Sequence, residues 1–224
     1  MAPIFSTNIR PAMSPSNFNQ PNPAQQDELL DIAIAAIQYG LDYNTVMPIA
    51  MDKYSDNEDK PLLEPRATFV TLKIDHELRG CIGTLTAHRA LIQDVANNAY
   101  QAAFRDPRFE PLQAQELKQL HISISILSPP EPMQVKSEQD LITQLRPGQD
   151  GLIIQDGQHR ATFLPSVWEQ LPDPVIFLQH LKNKAGWPAD YWSDAIQAQR
   201  YTSFEFGENI SGIAQKNSHH ANTD

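Results

Sequence analysis

Apolar residues recur along the chain at two different spacings, which predicts both helices and strands. The spacing of three to four that is typical of helices covers residues 25–39, 88–104 and 174–184. Gly40 is expected as the left-handed C-terminal cap of the first helix. Asp173 is the expected N-cap of the last helix, and Gly186 follows its end. A short helix over residues 137–145 would have Ser137 as its cap.

The other apolar segments are rich in β-branched residues or alternate with period two, and they predict strands over residues 67–74, 77–82, 121–127, 151–154, 160–163 and 200–206. Asp75-His76-Glu77 and Asp156-Gly157 are expected hairpin loops. Strands joined by hairpins, with helices interspersed but without regular alternation, predict an α+β fold of mainly antiparallel sheets with packed helices. At 224 residues the chain lies between one large domain and two small ones, so two sub-domains are expected.

The two ends of the chain differ in composition from the middle. Residues 1–24 carry prolines among Ser and Asn and predict a flexible arm, residues 207–224 predict a flexible tail, and residues 25–206 form the folded part. His219 and His220 in the tail are interpreted as solvated residues, with a metal site as the alternative. Residues 55–58 predict a solvated acidic loop.

Composition limits the classes of function. The formal charge of −10 would repel a phosphate backbone, which makes nucleic-acid binding unlikely. No segment approaches the roughly 18 consecutive apolar residues of a membrane span. The first residues do not resemble a signal peptide, so a cytoplasmic protein is expected. Phosphate-loop, metalloprotease and serine-hydrolase motifs are missing, and no cofactor or metal is predicted.

The single cysteine lies in the segment Leu78-Arg79-Gly80-Cys81-Ile82-Gly83. Gly80 and Gly83 leave the backbone beside the thiol bare, so that a ligand or another chain segment can approach closely. Cys81 is therefore a candidate nucleophile, and the alternative is a small buried core residue with Gly80 and Gly83 as packing glycines. Arg79 lies two residues before Cys81, and a bulge at Gly80 is expected to be needed for the arginine's charge to stabilise the thiolate directly.

A second polar cluster spans residues 105–109. Asp106 before a proline predicts a turn with arginines on both sides, and Arg108 could hold a carboxylate or phosphate by paired hydrogen bonds. The alternative is a structural turn in which Asp106 caps backbone N–H groups.

Four further residues could carry chemistry. His121 and His159 could serve as bases if the fold brought one of them to Cys81, and the alternative for each is an ordinary strand-end histidine. Lys182 and Lys184 in the last turn of a helix are interpreted as complements of its dipole, with anion binding as the alternative.

Taken together, several segments resemble the AMMECR1 domain family, and specifically its prokaryotic branch called AmmeMemoRadiSam system protein A. They are Phe69-Val70-Thr71-Leu72, Leu78 to Gly83, Asp106-Pro107-Arg108-Phe109, residues 122–133 and Lys184-Ala185-Gly186. The resemblance runs from about Asp27 to Phe206. The chain departs from it at residues 181–184, where many members contain a cysteine.

The resemblance implies an α+β fold in two sub-domains, the larger built from both chain ends and the smaller inserted, with the cysteine motif near the cleft between them. It also implies possible partners, a Memo-like protein and a radical S-adenosylmethionine (SAM) protein, and it implies no established reaction. A regulatory role linked to nucleic acids is the least favoured reading.

The sequence predicts two alternative functions. In the first, an enzyme or enzyme component uses Cys81 as nucleophile or thiol acid/base, Arg79 and Arg108 hold an acidic substrate group, and Asp106 orients an arginine. In the second, a non-catalytic adaptor docks its partner through the surface from Leu78 to Gly83.

Overall fold

The computed structural model describes residues 20–54 and 59–210. The predicted arm as far as residue 19, the acidic loop 55–58 and the tail from residue 211, with His219 and His220, lie outside the described residues. The described chain divides into two compact units. One contains residues 20–128 and 202–210, apart from 55–58, and the other contains residues 129–201.

The first unit contains four strands, β1 (Ala67–Ile74), β2 (Glu77–Gly83), β3 (His121–Leu127) and β8 (Ser203–Asn209). They form an antiparallel sheet in the order β2-β1-β3-β8. Two long helices pack in this unit, α1 (Pro23–Tyr43) and α3 (Leu91–Phe104), together with the single turn α2 (Lys60–Leu63). Short 3₁₀ helices lie at Met51–Lys53 and Ala114–Gln119.

The core of this unit follows from the sequence pattern. Helix α1 buries Leu29, Ala33, Ala36 and Ile37, which recur on one helical face. Helix α3 buries a stripe of small and branched residues, and both helices pack together while α3 also packs on β1 and β2. The matching sheet face is apolar: Val70, Leu72, Ile122, Ile124 and Ile126 are almost fully buried.

The second unit has its own four-stranded antiparallel sheet in the order β4-β7-β5-β6. These strands are β4 (Glu131–Met133), β5 (Gly151–Asp156), β6 (His159–Phe163) and β7 (Gln197–Tyr201). The helices α4 (Glu138–Gln144) and α5 (Pro174–Lys184) and a 3₁₀ helix at Pro165–Glu169 complete it. The rings of Trp168 and Phe177 stack at 3.8 Å inside its core.

These elements confirm the predicted α+β class with antiparallel sheets, but the first helix and the last strand differ from the prediction. Helix α1 continues through Gly40 to Tyr43, and Asn44 (φ 53°) is the left-handed cap. A Cβ at Gly40 would lie 2.4 Å from the ring of Phe104, so this glycine permits close helix packing. The single strand predicted over residues 200–206 is two strands, β7 and β8, which belong to different sheets and are separated by Thr202.

Among the described residues, no helix has both the length and the apolar character that crossing a membrane requires.

Candidate functional site

The hairpin of β1 and β2 positions Cys81. Its two-residue turn is formed by Asp75 (φ 49°) and His76 (φ 68°), the left-handed conformations that a tight hairpin with twisted strands requires. Cys81 pairs with Thr71 on β1. Because β2 is an edge strand, the side of Cys81 that faces away from β1 has no neighbouring strand.

A β-bulge lies directly before the cysteine. Leu72 pairs with Gly80 while Lys73 pairs with Leu78, so Arg79 is an extra residue on β2. Directly opposed residues face the same side of a sheet, so Leu78 lies with Lys73 on the face that carries Thr71 and Cys81. This register explains why Leu78 is 40% exposed although it is a leucine in a strand.

Both glycines of the motif permit close packing. A Cβ at Gly80 would lie 2.2 Å from the carbonyl oxygen of Ala102 on α3. A Cβ at Gly83 would lie 2.2 Å from the ring of Phe69 and 2.4 Å from the carbonyl oxygen of Thr68. Real Cβ atoms do not approach so closely, so each glycine lets a neighbour contact the backbone of β2.

The free edge of Cys81 is closed by two side chains. Its backbone N–H donates to Oδ2 of Asp106 at 2.9 Å, and its carbonyl oxygen accepts from Nη2 of Arg108 at 3.1 Å. Asp106 and Arg108 therefore occupy the place that another strand would take beside Cys81. The structure thus brings three of the predicted site residues together across about 25 positions of sequence.

Asp106 and Arg108 also hold each other. Arg108 donates from Nε to Oδ1 at 2.9 Å and from Nη2 to Oδ2 at 2.7 Å, and its backbone N–H donates to Oδ1 at 3.1 Å. The Asp106 side chain is 2% exposed, whereas the Arg108 side chain is 53% exposed. Hydrogen bonding from Arg108, with help from the backbone N–H of Cys81, holds the pKa of Asp106 far below its ordinary value. The carboxylate is therefore a fixed anion that orients the guanidinium.

Arg79 is engaged by a different carboxylate. Its Nε and Nη2 donate to the two oxygens of Glu116 at 2.7 and 3.1 Å. This pairing is the main cause of the lowered pKa of Glu116. The guanidinium carbon of Arg79 also lies 6.0 Å from the ring centroid of Phe109, and that of Arg108 lies 5.5 Å from the same centroid.

The thiol of Cys81 is partly buried and touches hydrogen-bond donors. Thr71 Oγ1 donates to Sγ at 3.3 Å. The pKa of Arg108 is raised first by its hydrogen bond to Asp106, and further by charge interaction and hydrogen bonding with Cys81. The hydroxyl of Thr71 is therefore the donor bonded to the sulfur, while the guanidinium of Arg108 donates to the carbonyl oxygen of the same residue.

His121, which lies in the same unit as Cys81, does not contact it. Strands lie about 4.8 Å apart, so β3 is roughly 10 Å from β2 across β1, and His121 is a further two residues along the sheet from the level of Cys81. Its Nδ1 lies 3.3 Å from Oδ1 of Asn209. His159 belongs to the second unit, where its Nδ1 lies 2.9 Å from the carbonyl oxygen of Ala185.

The two helix-end lysines have partners in the second unit. Lys182 is 1% exposed and donates to Oε1 of Glu138 at 2.5 Å and to the carbonyl oxygen of Ala189 at 3.0 Å. Lys184 donates to the carbonyl oxygen of Thr162 at 3.0 Å. These contacts tie α5 to its neighbours.

Sequence reasoning missed Thr71 and Glu116 as members of the site. The hairpin turn alone would place Thr71 opposite Gly80, and the bulge at Arg79 moves Cys81 into that position. Glu116 has a local signal only as part of a capping box with Gln113. Among the described residues, no group of His, Cys, Asp and Glu is arranged to hold a metal ion.

A buried polar network supports the end of β2. Oδ2 of Asp94 accepts from the backbone N–H and the hydroxyl of Thr68 at 2.9 and 2.7 Å, and from the hydroxyl of Thr84 at 3.0 Å. Asn98 donates to the same oxygen at 3.0 Å. Since Thr84 directly follows Gly83, this network fixes where the cysteine strand ends.

Comparisons with known proteins agree with this architecture. The family model described as AMMECR1 matches residues 30–206. Protein MJ0810 of Methanocaldococcus jannaschii is 37% identical over 149 residues, which cover 65% of this chain and 74% of that protein. A protein of Saccharolobus islandicus is 39% identical over 160 residues, which cover 68% and 70% respectively. The crystal structure of uncharacterized protein PH0010 from Pyrococcus horikoshii matches with a TM-score of 0.72 and 29% identity, covering 81% of this chain and 90% of that chain.

Proposed function

This chain belongs to the AMMECR1 family, and from that premise we propose that it is a cytoplasmic enzyme or enzyme component that works through the thiol of Cys81. The thiol serves as nucleophile or as thiol acid/base. Arg108 stabilises the thiolate, and Asp106 orients Arg108.

The observation that carries the proposal is the pair of donors at Cys81. Thr71 Oγ1 reaches the sulfur at 3.3 Å, and the guanidinium of Arg108, fixed by the buried carboxylate of Asp106, is bonded to the same residue. A cysteine that only fills space in a core needs neither group. The thiolate is the reactive form of a cysteine, and the proposal assigns its stabilisation to these two groups.

The first test compares the alkylation rates of Cys81 by iodoacetamide in the folded protein at pH 7. Arg108→Gln should lower the rate about 1.4- to fivefold, since a half-exposed charge interaction contributes about 0.2 to 1 kcal/mol. Thr71→Val should lower it by a smaller factor. The rate is read by mass spectrometry of the labelled protein.

Arg105→Gln is the matched control, because Arg105 is an exposed arginine three residues earlier whose Nη2 donates to the hydroxyl of Tyr100 instead. Its alkylation rate should equal that of the unaltered chain. Labelling that begins only when the chain unfolds, or equal losses in Arg105→Gln and Arg108→Gln, would contradict the proposal.

A second function, a non-catalytic adaptor, is favoured by the exposure of Leu78. Large exposed apolar side chains in the described residues are few, namely Tyr43, Leu78, Val175 and Ile176. Leu78 is directed outwards by its pairing with Lys73 at the free edge of the sheet, where an apolar anchor could enter a partner's pocket. The partners proposed from the family resemblance are a Memo-like protein and a radical SAM protein.

The adaptor function makes a separate prediction for a pull-down of these two proteins from the same genome. Leu78→Ser should abolish capture, and Cys81→Ser should leave it intact. Tyr43→Ser removes a more exposed aromatic side chain in the same unit and is the control that should not affect capture. Capture that survives Leu78→Ser would exclude this surface as the docking site.

A further inference from the structure

One nitrogen of the buried motif arginine has no partner. Arg79 uses Nε and Nη2 on Glu116, and its side chain is 16% exposed. Its Nη1 is buried, and among the described residues no acceptor forms a hydrogen bond with it. Buried polar groups almost always have an acceptor or donor, so an unpaired guanidinium nitrogen beside the cysteine calls for a physical explanation.

Arg108 is arranged in the same way. It uses Nε and Nη2 on Asp106 and on the carbonyl oxygen of Cys81, and its side chain is 53% exposed, so its guanidinium partly faces solvent. Both guanidinium groups lie within 6.0 Å of the centroid of the Phe109 ring. Two arginines, each fixed by its own carboxylate, therefore lie around one aromatic ring, and the buried Nη1 of Arg79 is the donor without an acceptor.

We propose that Arg79 Nη1, assisted by the guanidinium of Arg108 at the same aromatic ring, binds a carboxylate group of a small-molecule substrate. The inference rests on the proposed function, because this carboxylate would belong to the molecule on which Cys81 acts. Phe109 is partly exposed and its ring covers the guanidinium of Arg79, so the ligand reaches the nitrogen by displacing that ring.

Charge favours a carboxylate over a phosphate group. Arg79 and Arg108 are already neutralised by Glu116 and Asp106, so this cluster has no net charge, and the whole chain has a formal charge of −10. Burying a second negative charge on the ligand without a further cation is costly. A monoanion with planar geometry also matches guanidinium donors.

The test titrates Cys81→Ser with sodium acetate against sodium chloride at equal ionic strength, and follows backbone amide resonances by NMR. Saturable shifts at Arg79 and Phe109 are expected. In the same background Arg79→Lys should weaken acetate binding roughly tenfold or more, as expected for loss of a charge-assisted hydrogen bond. Arg108→Lys, at a half-exposed position, should weaken it about two- to fivefold.

Two further variants separate ligand binding from a structural role. Glu116→Gln removes the carboxylate that competes for Arg79 and should tighten acetate binding, which loss of structure would not do. Arg66→Lys is the matched control, because Arg66 is also mostly buried and paired with a glutamate, Glu64, at the start of β1. Its acetate affinity should be unchanged.

Inorganic phosphate is the contrasting probe. Tighter binding of phosphate than of acetate would overturn the carboxylate assignment. Equal acetate affinity in Arg79→Lys and the parent, or shifts confined to other parts of the chain, would overturn the site itself. The titration uses a protein without the thiol, so its result does not depend on the reactivity of Cys81. If acetate binds while Cys81 of the unaltered chain does not react in the alkylation test, the thiol function is rejected and the carboxylate site is kept.

Discussion

At the scale of single residues, Cys81 is held by its backbone as firmly as by its side chain. Its N–H, its carbonyl oxygen and its sulfur each have a partner, which are Asp106, Arg108 and Thr71 respectively. A single buried carboxylate supports the first two contacts, because Asp106 accepts from Cys81 and also orients Arg108. Asp106 is therefore the residue whose charge the site depends on most.

The acid stability of the protein should depend on Asp106. Its folded pKa is lowered mainly by Arg108, so its stabilising effect is complete above the unfolded pKa of about 4 and is lost as pH falls below that value. Asp106→Asn should reduce the free energy of unfolding by about 2 kcal/mol at pH 7, the loss expected for hydrogen bonds to a charged group. This difference should shrink steadily between about pH 4 and pH 2.

Urea unfolding at pH 7, 4 and 3 measures this difference. Asp140→Asn is the control, since the lowered pKa of Asp140 comes from Gln144 and a backbone N–H rather than from an arginine. Its effect should be much smaller. A loss in Asp106→Asn that is as large at pH 3 as at pH 7 would show that folding does not lower the pKa of this carboxyl.

At the scale of elements, local patterns predicted the strands and helices whose ends carry local signals. The bounds of β1, β3 and α5 are as predicted, because alternation and the Asp173-Pro174 cap define them. Helix α3 begins at Leu91 rather than at residue 88, because Ala90 forms a β-bridge with Pro65. Helix α1 does not end at Gly40 as predicted. The glycine is needed there because the ring of Phe104 packs against its backbone.

Four members of the candidate site were recognisable from the sequence, whereas Thr71, Glu116 and the geometry of the site were not. Cys81, Arg79, Asp106 and Arg108 were recognisable from residue type and spacing. No local pattern pairs Asp106 with the backbone of Cys81, since the contact crosses from a turn after α3 to an edge strand. The bulge at Arg79 was equally hidden, because it follows from pairing with Lys73 and Leu72 rather than from the residues of β2 alone.

At the scale of the whole molecule, residues 129–201 form a unit inserted between two neighbouring residues of the first unit. Ser128 donates from its backbone N–H to the carbonyl oxygen of Thr202 at 2.9 Å, and Thr202 donates to Ser128 Oγ at 3.0 Å. The chain thus leaves and re-enters the first unit at one point. Two positions so close can be joined by a short turn.

We expect the first unit to fold without residues 129–201. A chain in which an Asn-Gly turn joins Ser128 to Thr202 keeps all four strands of the sheet that contains Cys81. It should unfold cooperatively on heating, as followed by circular dichroism. Its Cys81 should be alkylated by iodoacetamide at the rate of the full chain.

The matched control is the same shortened chain without Ser203. That deletion shifts the pairing of β8 with β3 by one residue and turns its buried face outwards. This control should lose the cooperative transition. If the shortened chain with the intact strand also lacks the transition, residues 129–201 are needed for the first unit to fold.

The pairing of β3 with β8 also orders events during biosynthesis. Leu127 pairs with Ser203, so the third strand of the sheet leaves the ribosome roughly 75 residues before its outer partner, a delay of about 4 to 15 s at ordinary rates of translation. In that interval the nascent chain exposes an isoleucine-rich strand with one edge unpaired. Chaperone capture of ribosome-bound chains should therefore peak between the emergence of these two strands and end when the last one arrives.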